Sequence, residues 1–194
     1  MMQNGVKDIV FSSSCTVYGE PDTPEVSENT PKKEANSPYG NTKQICEEIL
    51  TDYAKATNGF HAISLRYFNP IGAHKSSEIG ELPIGVPNNL VPFITQTAIG
   101  KRDALTVFGD TYNTPDGSCI RDYIHVVDLA KAHVKAIDYL LKNNSKEGYN
   151  EFFNIGTGKD VSMLDLVNLI SNIIGYKEKV ILDKTKPNGM PRKV

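Results

Sequence analysis

Two apolar runs, Ile9-Val10-Phe11 and residues 61–68, bracket a helix whose beginning is written in the sequence. Ser37 is a good N-cap, and Pro38 suits the first helical position, where its missing N–H is no loss. Apolar residues at Ile45, Ile49, Tyr53 and Ala56 carry the helix to about residue 57, and Asn58-Gly59 gives it a stop. The flanking runs have the length and composition of buried strands. A strand, a crossover helix and another strand make a parallel unit, because parallel neighbours cannot be joined by a tight turn. This unit places the chain in the α/β class.

The rest of the chain is less regular. Residues 1–7 read as the tail of an incoming helix or loop, which Gly5 could end. Residues 20–36 are polar and proline-rich, a surface loop. Asn69-Pro70 breaks the second strand, and residues 72–87 show no periodicity. Asn88 or Asn89 can cap a helix that runs through Ile99 to Gly100. Residues 105–108 form a short strand, and Thr114-Pro115-Asp116-Gly117 marks a turn-rich loop. A strong helix is expected over about 127–142, with Ala130, Val134, Ile137 and Leu141 as its buried face. Phe152-Phe153-Asn154-Ile155 reads as a strand. Ser162 and Asp165 resemble a capping box for a helix to about residue 174, and Val180-Ile181-Leu182 is the last strand.

Composition narrows the function classes. The 194 residues suit one domain, or one domain and part of another, and are enough to bury a core. Apolar content of 39% and charged content of 23% are those of an ordinary globular protein. A net charge of −2 gives no reason to expect nucleic acid or an anionic membrane as partner. No apolar run has the length of a membrane span, and the first residues lack the layout of a signal peptide. Cys15, Cys46 and Cys119 are dispersed, and His61, His74, His125 and His133 do not cluster, so no metal site is expected. Reduced thiols in a cytoplasmic protein are the simplest reading.

The chemistry lies between Phe11 and Lys43. Tyr39 and Lys43 stand at i and i+4 of the capped helix, on one face and within reach of each other. A free phenol ionises near pH ~10, too high for a base at neutral pH, and a neighbouring ammonium favours the phenolate. A serine hydroxyl at the end of a nearby strand can hydrogen-bond the substrate oxygen that loses its proton. A tyrosine and a lysine alone also fit a helix tyrosine beside a solvated lysine. The serine strand upstream and the motifs downstream favour the chemical reading.

Those motifs carry a resemblance. Ser12-Ser13-Ser14-Cys15-Thr16-Val17-Tyr18-Gly19, Ser37-Pro38-Tyr39-Gly40-Asn41-Thr42-Lys43 and Arg66-Tyr67-Phe68-Asn69-Pro70 resemble the extended short-chain dehydrogenase/reductase superfamily. Gly85-Val86-Pro87-Asn88-Asn89-Leu90-Val91-Pro92 and Arg121-Asp122-Tyr123-Ile124-His125-Val126-Val127-Asp128 are similar to motifs of its UDP-glucose 4-epimerase family. The resemblance implies part of a Rossmann-like doubly wound parallel sheet plus a smaller α/β substrate-binding domain. Residues 1–72 would be the C-terminal part of the NAD-binding domain. Residues 73–194 would be mainly the nucleotide-sugar-binding domain, with segments about 120–158 returning to the first.

By the same resemblance, a full-length parent interconverts UDP-glucose and UDP-galactose with NAD, in galactose metabolism. Tyr39 would be the base, Ser14 would hydrogen-bond the 4-hydroxyl, and Lys43 would tune Tyr39 and contact the nicotinamide ribose. Phe68 matches a residue beside the nicotinamide. Tyr67 and Asn69 match residues beside the sugar and phosphates, and Asn89 and Leu90 match nucleotide contacts at a helix start. Thr106 and Phe108 match the strand beside the uracil, and Arg121 the arginine on the diphosphate. Plainer roles stay open: Asn69 and Asn89 as caps, Phe108 as core, Arg121 as the partner of Asp122 or Asp128. A homodimer is expected by resemblance, with the helix after Pro38 as its contact element.

Three departures matter. Cys15 stands where the family usually has alanine. No stretch here fits the Gly-rich turn that receives the pyrophosphate, which in the family precedes the serine strand by roughly a hundred residues, a half-unit in size. Gly156-Thr157-Gly158 follows a strand but reads as a βα loop. The chain therefore reads as the C-terminal portion of an epimerase, with Ile9-Val10-Phe11 expected as an apolar strand edge and the chain alone as poorly stable. Near the end, Lys186 stands roughly where the family has a second phosphate-binding arginine. The surrounding Lys186-Pro187-Asn188-Gly189 with Pro191-Arg192-Lys193 looks more like the tail of GDP-fucose synthases. Three alternatives follow: a UDP-hexose epimerase, another nucleotide-sugar epimerase/reductase of the superfamily, and an inactive fragment that at most binds a nucleotide sugar.

Overall fold

The computed structural model describes residues 1–87, 89–108, 111–143, 145–176, 180–183 and 192–193. They form two compact units, Met1–Pro70 with Val127–Gly156, and Ile71–Val126 with Thr157–Val194.

The first unit is built on three parallel strands in the order β1 (Asp8–Ser14), β2 (His61–Tyr67) and β6 (Tyr149–Ile155). Ser14 lies level with Tyr67, and Tyr67 with Ile155, so the three strands end together. Helix α1 (Pro38–Ala56) lies against one face, with Ala54 buried beside Phe60 and Ala62. Helix α3 (Val126–Lys142) covers Ile63 and Leu65, whose side chains alternate to the other face. The central strand β2 is buried almost throughout, as a parallel strand covered on both faces must be. Among the described residues β1 pairs only with β2, so it is an edge strand.

The expected inner face of α3 is corrected. Ala130, Val134, Ile137 and Leu141 are exposed, and the buried residues are Leu129, Ala136 and Leu140. The helix carries two apolar stripes, and periodicity does not say which one meets the sheet. Ala136 is small enough for close approach over Ile63 and Leu65, and the stripe that includes it is the one that packs.

Close approach also governs Gly148. A Cβ there would run into the carbonyl oxygens of Ala54, Thr57 and Phe60, which are backbone and cannot swing aside. Gly148→Ala is expected to cost about 1–3 kcal/mol, the usual cost of overpacking. Gly80→Ala, which projects into open space, is expected to leave the urea midpoint unchanged. Equal midpoints for the two variants would show that the turn before β6 yields freely.

Another sheet has strands β3 (Asn69–Ile71), β5 (Ile120–His125) and β7 (Asp160–Ser162) in that order, with β9 (Arg192–Lys193) also on β5. Asn69-Pro70, expected only to break β2, also opens β3. Proline is tolerated there because β3 is at the sheet edge among the described residues. A separate parallel pair, β4 (Leu105–Phe108) and β8 (Val180–Asp183), packs with α2 (Leu90–Ala98) and α4 (Met163–Ile174) around Ile94, Leu105, Val107 and Val167. The Ser162 hydroxyl accepts the Asp165 N–H at 3.0 Å and caps α4.

Candidate active site

The first unit carries Ser14, Tyr39 and Lys43. Ser14 ends β1 and caps the single 3-10 turn Cys15–Tyr18. Its Oγ accepts the Thr16 N–H at 3.2 Å, which leaves the hydroxyl proton to donate elsewhere. Tyr39 is the second residue of α1 and half-exposed, at 52%. Its position is fixed by the Ser37 cap, whose hydroxyl accepts the Gly40 N–H at 3.1 Å. One turn on, the Lys43 Nζ donates to the Ser12 carbonyl at 2.8 Å. It lies 5.5 Å from the Tyr39 ring centroid and 5.0 Å from that of Phe11. The ammonium thus ties the tyrosine's helix to the serine strand, two residues before Ser14.

Two other phenols, those of Tyr123 and Tyr18, are unsuited to act as a base. Burial pushes the Tyr123 phenol up to about 12. Burial also raises Tyr18, against the pull of Arg66, whose Nη1 donates to the Tyr18 oxygen at 3.1 Å. Tyr18 remains a donor to the Asn154 Oδ1 at 2.6 Å.

Three more expected residues lie in this unit. Phe68 is buried with Cys15, Val17 and Tyr18, and its N–H donates to the Ile155 carbonyl at 3.1 Å. Tyr67 stands with its ring centroid 6.2 Å from that of His133. Asn69 opens β3 and is half-buried.

In the second unit, Asn89 is the N-cap of α2 without a capping side-chain bond; its amide donates to Glu81 at 2.8 Å. Leu90 starts α2 and packs partly into the core around Ile94. Thr106 lies half-buried on β4, which Phe108 ends. Arg121 lies on β5, with Nη1 donating to the Ile120 carbonyl at 2.7 Å. Lys186 lies outside the described residues.

Four polar residues escaped sequence reasoning. Asp122, fully buried, accepts from the Thr157 hydroxyl at 2.6 Å, the Thr157 N–H at 2.8 Å and the Gly158 N–H at 2.9 Å. The Thr157 and Gly158 amides are thereby engaged by a carboxylate of the protein itself. His133 has Nδ1 2.9 Å from the Leu129 carbonyl, so that nitrogen carries the proton, and Nε2 accepts from the Ser12 hydroxyl at 3.2 Å. Glu47 and Arg66 form a buried ion pair beneath Ser13. Glu47 falls one turn past Lys43 on the face that carries Tyr39, the one signal in the sequence that could have found it.

A family model described as the NAD dependent epimerase/dehydratase family matches residues 1–156. The UDP-glucose 4-epimerase of Erwinia amylovora is 49% identical over 175 residues, 90% of this chain and 51% of that protein. The UDP-glucose 4-epimerase of Mus musculus is 48% identical over 177 residues, 91% of this chain and 50% of that protein. The chain spans about half the length of the curated relatives it matches. Among solved structures, UDP-glucose 4-epimerase from Bifidobacterium longum in complex with NAD+ and UDP matches with a TM-score of 0.91 and 41% identity, covering 99% of this chain and 56% of that one. The Stenotrophomonas maltophila UDP-glucose-4-epimerase with bound NAD and formylated UDP-arabinopyranose matches with a TM-score of 0.90 and 41% identity, covering 100% of this chain and 56% of that one.

Proposed function

The chain belongs to the NAD dependent epimerase/dehydratase family, and on that premise we propose that it supplies the catalytic part of a UDP-hexose 4-epimerase that interconverts UDP-glucose and UDP-galactose. The single observation that carries the reading is the link from Tyr39 through Lys43 to the Ser12 carbonyl, which holds an accessible phenol, an ammonium and the serine strand in one arrangement.

The donor set suits the nicotinamide riboside half of NAD. Lys43 offers ammonium hydrogens to ribose hydroxyls, and Tyr39 and Ser14 offer oxygens to the reacting carbinol. Bound there, NAD would supply hydride acceptance from and return to C4 of the sugar, with no net redox change. The Tyr39 Oη takes the proton of the 4-hydroxyl and gives it back. The Ser14 hydroxyl donates to the same sugar oxygen and holds it through both transfers. Lys43 keeps a positive charge beside the phenol. Arg121, Asn89, Leu90, Thr106, Phe108 and Lys186 are assigned to the nucleotide, and Tyr67, Phe68 and Asn69 to the sugar and nicotinamide. The sequence contains no Gly-rich turn for the pyrophosphate, so tight NAD binding is expected to need such a segment. Ile45, Ile49 and Tyr53, exposed along α1, support a homodimer.

The test is conversion of UDP-galactose to UDP-glucose with added NAD, by this chain alone and by a fusion of this chain to the part of the Erwinia amylovora relative that it does not match. Conversion by either, lost on Tyr39→Phe, is the expected result. A folded fusion that binds NAD and converts nothing would overturn the proposal.

A further inference from the structure

Helix α1 must hold Tyr39 and Lys43 at one height against β1, and its packing alone does little to fix that height. Its fully buried residues are Gly40, Glu47 and Ala54, two turns apart along one stripe. Gly40 and Ala54 allow the helix close to the sheet but present no side chain that must fit a particular hole. Leu50, partly buried beside Ala54, and Tyr53, edge-on to Phe60 at 4.8 Å between ring centroids, add apolar contacts only in the last two turns, and Gln44 on an adjoining face donates to the Val17 carbonyl at 2.8 Å. Glu47 is the exception, a long charged side chain with none of its surface exposed.

Its carboxylate is fully engaged. Oε1 accepts from the Ser13 hydroxyl at 2.6 Å and from the Arg66 Nε at 2.9 Å. Oε2 accepts from the Arg66 Nη2 at 2.8 Å and has the Lys32 Nζ at 3.5 Å. Ser13 precedes Ser14 on β1, and Arg66 precedes Tyr67 on β2. Arg66 is itself 3% exposed and held by the Tyr18 oxygen and the Phe152 ring, 4.3 Å from its centroid. Burial opposes its charge, yet the bonds to Glu47 and Tyr18 hold its pKa above the ordinary arginine value.

Buried ion pairs roughly break even against well-packed apolar residues in stability, and their best-attested use is to specify one arrangement. We propose that Glu47 is a positioning residue of this site: its carboxylate, clamped between Ser13 of β1 and Arg66 of β2, sets the register of α1 and with it the places of Tyr39 and Lys43 relative to Ser14. A slip of one residue moves the helix by about 1.5 Å and turns its face away, and misplacements of about 1 Å can cost 10²-fold in rate. This inference rests on the epimerase reading for its kinetic consequence but not for its structural one.

Two variants separate the roles. Glu47→Gln keeps the shape and an acceptor for Ser13 but leaves Arg66 unpaired. Ser13→Ala keeps the ion pair and removes only its tie to β1, so the fold is expected to survive. In the chain as it stands, amide hydrogen exchange in the first two turns of α1 is expected to rise at least 10-fold in both variants, with β2 amides unchanged in Ser13→Ala, where the ion pair is kept. In the active fusion, kcat is expected to fall about 10-fold for Ser13→Ala and about 10²-fold for Glu47→Gln, with KM for UDP-galactose unchanged. Unaltered exchange at the start of α1 would overturn the proposal even if no form of the protein were active. Raised exchange with unaltered kcat would overturn it as well. An inactive parent fusion would count against the epimerase reading and leave the exchange measurement to decide this one.

Discussion

Tyr39→Phe is expected to lower kcat for UDP-galactose by about 10²–10⁴-fold, the usual contribution of a positioned base, with KM little changed. The substitution removes one oxygen from a half-exposed side chain. Among the described residues no hydrogen bond to that oxygen is found, and the Ser37 cap, the Lys43 bond to Ser12 and the Thr42 bond to the Tyr39 carbonyl all survive. Stability is therefore expected to stay within about 0.5 kcal/mol of the parent, as for a surface change. Lys43→Met makes the instructive contrast. It removes the cation and the bond to the Ser12 carbonyl together, so it should lower kcat and also loosen β1 from α1. Assays of initial rate and urea midpoint on both variants decide the matter. A Tyr39→Phe enzyme with nearly full activity would remove the phenol from the chemistry and shift attention to Ser14 and the neighbouring Ser12–His133 pair.

The parts legible in the sequence are those that local chemistry specifies. Ser37-Pro38 and Ser162 with Asp165 announce two helix starts, and both hydroxyls cap as their spacing implies. The β1–α1–β2 unit follows from strand, helix and strand lengths alone. What stayed hidden depends on partners distant in sequence. The strands β5 and β7 are short and mixed in polarity, and pair antiparallel only because Ile120 meets Ser162 across forty-odd residues of chain. The face of α3 was misjudged because both of its stripes are apolar. Glu47 and Arg66 look like two surface charges until β1, β2 and α1 bring them together. Pattern reading assigns charges to solvent by default, so a buried ion pair is what it is least able to see.

Arg66→Met is the substitution expected to cost the fold most, about 3–5 kcal/mol, because it strands the Glu47 carboxylate in a site without solvent. Ser13 still donates to that carboxylate, and Lys32, 3.5 Å away and 31% exposed, is a cation among the described residues that can approach it. Lys32→Met in the parent is expected to cost less than about 1 kcal/mol, since a half-exposed pair contributes little. In the Arg66→Met background the same change should cost more, because Lys32 then carries more of the compensation. The double variant Glu47→Leu/Arg66→Met should recover most of the loss, since the uncompensated charge is gone and the pair roughly breaks even against apolar packing. The coupling energy between the two sites, read from urea midpoints of the four proteins, is expected to be at least about 2 kcal/mol. If the recovered double variant were also fully active in the fusion, α1 would be held in place without the ion pair, by apolar contact together with the Lys43 bond to Ser12 and the Gln44 bond to Val17. A stable double variant with depressed kcat would instead separate the two roles of the pair, with stability supplied by any well-packed filling and the register of the catalytic helix only by the charged one.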